Sequence, residues 1–197
     1  MFARLAESIA QKLHDNNSIS SEQYEICRFG VQQGLTIILN AITIIAIGAV
    51  MGELIQALLF MALYAPLRSN AGGYHARTST LCYIYSILLM IAILLAMKYL
   101  AIPYFICIIT FIISCVIVLI LSPVEDANKP LDNTEQKVYK KRTFEITAVE
   151  ILIFISTSIL NVKWITLCIM WVFLTMGVIL LVGKCKNNRI GLSNDVC

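Results

Sequence analysis

The stretch IPYFICIITFIISCVIVLIL, residues 102–121, runs for 20 residues without a charge. A helix needs roughly 20 consecutive apolar residues to cross a bilayer, and this stretch meets that requirement outright. Outward from it, further apolar runs cover about 34–51, 54–67, 81–97, 146–160 and 164–182. Hydrophobic residues make up 59% of the 197 residues and charged residues 14%, with a mean hydropathy of +0.82. A soluble domain is roughly 45–50% apolar and about 25% charged, and a chain this short cannot hide the excess in one core. The expected fold is all-α: a polytopic membrane protein of about six transmembrane helices. Runs 54–67 and 146–160 are short, so four spans plus two re-entrant segments form the alternative.

Basic residues fix the orientation, because short loops rich in Lys and Arg stay cytoplasmic. Arg4, Lys12 and Arg28 precede the first run, Arg68 and Arg77 follow the second, and Lys129, Lys137, Lys140, Lys141 and Arg142 follow the fourth. Lys184, Lys186 and Arg189 follow the sixth, so 13 of the 15 Lys and Arg fall in alternate connections. Both termini are therefore expected on the cytoplasmic side of a cell membrane. Residues 1–33 read as a cytoplasmic amphipathic helical segment, 34–182 as the membrane domain and 183–197 as a cytoplasmic tail. Within the first segment, Phe2, Leu5, Ile9 and Leu13 recur at helical spacing, as in a helix lying on the lipid interface. Ser20 followed by Gln23 has the spacing of a capping box that starts the next helix.

A net charge of +3 is too small and too dispersed for nucleic-acid binding. The seven cysteines form no CxxC pair and there are two histidines, so no metal site and no cofactor is expected. No HExxH or GxGD pattern is present and no GxS precedes a helix, so the motifs of the other intramembrane proteases are missing. The polar connection 68–82, RSNAGGYHARTSTLC, carries the chemistry instead. His75 lies within it and Cys82 falls where the third run begins. A thiol beside an imidazole is a nucleophile with its base, and a helix N-terminus favours the thiolate. Seven residues of straight helix would separate the two by about 10.5 Å, so the chain must fold back between them. Gly72 and Gly73 permit that bend, and Thr78, Ser79 or Thr80 can cap the helix after it. Taken alone, such a cysteine is commonest as a packing residue and such a histidine as a solvated one. Glu150, ionisable inside the fifth run, is a functional candidate by type, and Gly48 with Gly52 forms a GxxxG that lets helices approach.

The segment Arg68, Ala71-Gly72-Gly73-Tyr74-His75-Ala76 and Cys82 resembles the AgrB family, the accessory gene regulator B membrane peptidases of Gram-positive quorum sensing. The segment Ser122-Pro123-Val124-Glu125-Asp126-Ala127-Asn128-Lys129-Pro130-Leu131 is similar to that family's proline-flanked Asn-Lys-Pro segment. The resemblance implies a cysteine endopeptidase that cleaves the C-terminal part of an AgrD-like propeptide and supports closure of a thiolactone or lactone. Cys82 is then the nucleophile and His75 its base, while Arg68, Gly72 and Gly73 shape the site. Asn70 is a candidate third member, and Lys137, Lys140, Lys141 and Arg142 are candidates for binding an acidic substrate tail. The expected partners are the propeptide and the lipid bilayer, with a homodimer as a further option through Gly48 and Gly52. The competing reading from another class is a transporter or export partner for a small peptide, with Glu150 lining the path.

Overall fold

The computed structural model describes residues 2–16, 19–74, 78–125 and 132–194. Those residues form seven helices: α1 (Ala3–Asp15), α2 (Ser21–Met51), α3 (Leu54–Ala71), α4 (Ser79–Tyr99), α5 (Tyr104–Leu121), α6 (Asn133–Ile159) and α7 (Lys163–Asn194). Their ends follow local chemistry. Ser20 and Gln23 form the anticipated capping box at the start of α2, with the Gln23 N–H donating to Ser20 Oγ and the Ser20 N–H to Gln23 Oε1. Gly52 ends α2 in the left-handed conformation at φ 73°. Thr78 caps α4, its Oγ1 accepting from the Leu81 N–H at 3.3 Å.

Helix α1 lies against α2 through Ala6 and Ala10, both fully buried. Leu5, on the apolar stripe read from the sequence, instead stays 49% exposed. Small residues let the two helices approach, and the larger apolar side chain is left for the membrane interface.

Helices α2 to α7 form one bundle in which successive helices reverse direction. Glu53, Lys98 and Trp164 meet at one end around a cavity of about 250 Å³ that also touches Gln56, Met97 and Leu167. There Lys98 Nζ donates to the Met51 carbonyl at 2.8 Å and pairs with Glu53 at 3.8 Å. Gly72, Val124 and Gly183 meet at the opposite end. Helix α3 therefore runs the length of the bundle, about 27 Å for its 18 residues. Helix α7 occupies the centre and packs against α3, α4, α5 and α6. Phe111 of α5 stacks on Phe154 of α6 at 3.7 Å between centroids and meets Phe173 of α7 edge-on at 4.9 Å.

Four helical segments are long and apolar enough to cross a membrane: Gln23–Met51, Ser79–Tyr99, Tyr104–Leu121 and Lys163–Asn187. The two short apolar runs lie in α3 and α6. Helix α3 exposes Leu54, Ile55 and Leu58, and α6 is inverted relative to a soluble protein. In α6 the buried face presents Thr143, Thr147, Glu150, Phe154 and Thr157, while Phe144, Val149, Leu152, Ile155 and Ile159 face outward. Apolar residues outside and polar ones inside is the pattern expected where lipid is the surrounding medium.

Three features depart from the sequence reading. Residues 68–71 belong to α3, so the polar connection outside helices is shorter than 68–82. The basic stretch between the fourth and fifth runs is helical from Asn133, where Asp132 and Glu135 form a second capping box. The last helix does not stop near residue 182 but continues to Asn194. Gly48 of the GxxxG is used within the chain: a Cβ there would sit 2.7 Å from the Ala57 Cβ, so the glycine lets α2 and α3 close into a hairpin.

Candidate active site

The site is built from the end of α3, the segment after it, the start of α4, the link after α5 and the late part of α7. Helix α3 ends at Ala71, and Gly72 and Gly73 take φ values of 71° and 111° that side chains other than glycine rarely adopt. The segment after it is wedged between two neighbours, with Gly72 bridged to Val124. On one side the Gly73 N–H donates to the Val124 carbonyl at 3.1 Å, and the Val124 N–H donates to the Ala71 carbonyl at 3.0 Å. On the other side the Tyr74 N–H donates to the Ile179 carbonyl of α7 at 3.2 Å. Thus the two sequence motifs that carried the resemblance, far apart along the chain, lie hydrogen-bonded side by side.

There is no room for larger residues. A Cβ on Gly73 would meet Ile179 Cγ2 at 2.8 Å, and one on Gly72 would collide with the Val124 carbonyl. Gly183 of α7, which no motif in the sequence marks, is equally constrained: a Cβ there would lie 2.7 Å from the Tyr74 nitrogen. Lys186, one turn further along α7, holds its ammonium 5.1 Å from the centre of the Tyr74 ring. Asn187 Nδ2 donates to the Glu125 carbonyl at 2.7 Å and ties α7 to the Val124 link.

Arg68 secures the segment from α3. Its Nη2 donates to the Tyr74 carbonyl at 2.7 Å and its Nη1 to the Gly72 carbonyl. A planar guanidinium with a fixed fork of donors suits this double hold, which a lysine could not reproduce. Cys82 lies in the first turns of α4, half-buried, as a free thiol with its N–H on the Thr78 carbonyl at 3.0 Å.

His75 falls outside the described residues, directly after the anchored Tyr74. Asn70 is turned back onto its own helix, Nδ2 donating to the Pro66 carbonyl at 2.8 Å. Lys137, Lys140, Lys141 and Arg142 are exposed on the first turns of α6, where Lys141 pairs with Glu145 at 3.9 Å. Glu150 is 3% exposed, well inside the bundle rather than at its edge, and its Oε2 has no hydrogen-bond partner. Cys107, Cys115 and Cys168 are buried packing residues. Among the described residues no cluster of His, Cys, Asp and Glu could hold a metal ion.

A helical bundle with apolar outer faces, a clamped glycine segment and a free cysteine at one end is the layout of a polytopic membrane protein. Residues 6–181 match the family model described as accessory gene regulator B, and the chain belongs to that family, AgrB, which takes part in the processing of accessory gene regulator peptides. It is 26% identical over 174 residues to "Putative AgrB-like protein 2" of Clostridium perfringens strain 13, covering 83% of this chain and 81% of the relative. It is 27% identical over 174 residues, with the same coverage of both chains, to "Putative AgrB-like protein" of strain SM101. No solved structure matches.

Proposed function

We propose that this protein is a cysteine endopeptidase of the cell membrane that cleaves an AgrD-like propeptide near its C-terminus and hands the acyl group on to ring closure. The observation that carries the reading is the clamp on Gly72, Gly73 and Tyr74, which brings the chain to a fixed point immediately before His75 and at the Cys82 end of the bundle. In the mechanism His75 takes the Cys82 proton, and the thiolate attacks the scissile carbonyl. A carbon–sulfur bond forms, the carbon–nitrogen bond breaks, and His75 returns the proton to the leaving amine. An internal thiol or hydroxyl of the bound peptide then displaces Cys82, closing a thiolactone or lactone. Thioester exchange is close to isoenergetic, so closure succeeds where water is kept from the acyl-enzyme.

The test is mass spectrometry of the purified protein in lipid with a synthetic AgrD-like propeptide. The peptidase reading expects an acyl mass increment on the Cys82 peptide together with a released C-terminal fragment. A released fragment with Cys82→Ala present would overturn it.

Six crossings with both termini cytoplasmic is the topology we infer, since α3 and α6 run the bundle's length and show apolar outer faces. Single cysteines at positions 53 and 163, in a background lacking the others, should react with a membrane-impermeant maleimide on whole cells, and one at 184 only after lysis. Labelling at 184 on intact cells would overturn this orientation.

An acidic substrate tail fits Lys137, Lys140, Lys141 and Arg142 on the solvated start of α6. Reversing all four to Glu should raise KM at least tenfold, through loss of roughly 1.4 kcal/mol or more of attraction, and leave kcat within about twofold. Unchanged KM would assign these residues to orientation alone.

A further inference from the structure

The last turns of α7 lie beyond residue 182, in the stretch that reads from sequence as a tail, yet they reach back to the clamp. Earlier turns anchor the helix through Val172, Phe173, Met176 and Leu180, all buried. From there Ile179, Gly183, Lys186 and Asn187 follow at spacings that place them on one helical face. The first three meet the glycine segment: at the Ile179 carbonyl, against the Tyr74 nitrogen and over the Tyr74 ring. Asn187 meets the other motif, its Nδ2 donating to the Glu125 carbonyl at 2.7 Å. Glu125 is held a second time, because Gln136 Nε2 of α6 donates to its carboxylate. Its neighbour Val124 carries both hydrogen bonds of the link to the glycine segment, to the Ala71 carbonyl at 3.0 Å and from the Gly73 N–H at 3.1 Å.

We propose that Glu125 is the junction that fixes the peptidase segment in place, and that Asn187 and Gln136 are positioning residues acting through it. The inference rests on the peptidase reading and carries a readout of its own. One carboxamide on α7 takes the Glu125 carbonyl and another on α6 takes its carboxylate, so donors from two separate helices stop the link from sliding along the glycine segment. Their effect reaches His75 through Val124, Gly73 and Tyr74. Losing one donor shifts the base relative to the nucleophile and leaves the contacts that bind substrate, so the loss falls on kcat rather than KM. Gln136 directly precedes Lys137, which the proposed docking of the substrate tail assigns to KM. Neighbours in sequence are thus expected to act on different kinetic constants.

The experiment is steady-state cleavage of a synthetic AgrD-like propeptide by lipid-reconstituted protein, with amide hydrogen exchange of the same samples followed by mass spectrometry. Asn187→Leu keeps the size of the side chain and removes the donor. It should lower kcat about tenfold, the worth of one hydrogen bond, and leave KM within about twofold. Exchange in the peptide holding Gly73 and Tyr74 should quicken about tenfold as the segment opens locally, with exchange in α5 unchanged. Gln136→Leu should show the same pattern at about threefold. Asn187→Gln retains a donor and should recover most of the loss, and Cys185→Ser, on the exposed side of α7, should match the parent. Unchanged kcat, unchanged exchange or a rise in KM alone in Asn187→Leu would overturn the proposal. So would an equal loss in Asn187→Gln, since the donor would then not be what matters. Should Asn187→Leu not fold, Asn187→Asp keeps the shape and puts an acceptor where the donor was; a parental kcat there refutes the proposal. Failure of the peptidase reading is recognised separately, by cleavage of the propeptide when Cys82→Ala is present, whereas exchange is read without any cleavage.

Discussion

Cys82→Ala is expected to abolish propeptide cleavage, a fall of at least about 10⁴-fold, as happens when the nucleophile of a covalent mechanism is removed and only binding and electrostatic effects remain. Cys107, Cys115 and Cys168 are packed within the bundle with apolar neighbours, and Cys185 lies on the exposed side of α7. Cys115→Ala serves as the matched control, since it removes a buried sulfur of the same volume at a distance from the clamp and should leave the cleavage rate within about twofold. Cleavage by gel or mass spectrometry in reconstituted vesicles decides the matter. A peptide exporter in which Cys82 only packs would tolerate the change, so a normal rate in Cys82→Ala would move the export reading to first place.

Gly183→Val should lower cleavage roughly 100-fold while the bundle stays folded, because a displacement of about 1 Å at a reacting group costs a rate factor of that order. The reasoning is steric. The first side-chain carbon at this position would stand 2.7 Å from the Tyr74 nitrogen and 3.0 Å from the Gly73 carbonyl carbon. Both are backbone atoms, which cannot rotate away as a side-chain tip can. The Tyr74 segment must lift from α7, its bond to the Ile179 carbonyl stretches, and the residue carried away next is His75. Overpacking of this kind costs about 1–3 kcal/mol of stability, so melting in detergent should shift only modestly while activity falls steeply. Gly30→Ala and Gly34→Ala are the controls, since a Cβ at either position meets nothing within 4 Å. Both should leave activity unchanged. A Gly183→Val protein that cleaves at the normal rate would show that the strand's contact with α7 does not set the geometry of the site.

The helices were legible in the sequence because lipid-facing runs are long, uncharged and bounded by caps whose chemistry is local. Ser20 with Gln23 and the Thr78 cap could be read within a few residues of each other. The reactive end was legible as a type of segment: glycines, a histidine and a cysteine in a polar gap between apolar runs. Its assembly was not. The Gly73–Val124 pairing and the fit of Gly183 under Tyr74 join positions dozens of residues apart, and a single sequence carries no record of which distant backbone a glycine must admit. The basic start of α6 was misread as a loop because charges on a solvated helix and on a loop share one composition. The Asp132 and Glu135 pair was the available signal.

The polar inner face of α6 also governs how the protein is made. A helix with Thr143, Thr147 and Glu150 on one side enters lipid poorly by itself, because a carboxylate at a helix centre costs about 3 kcal/mol on insertion. Those groups find shelter only when α3, α5 and α7 surround them, and α7 leaves the ribosome after the other two. Biogenesis therefore has to keep the earlier helices together beside the insertion machinery until α7 has emerged. A nascent chain cut short before α7 would leave a carboxylate facing lipid, marking it for the membrane's quality-control proteases.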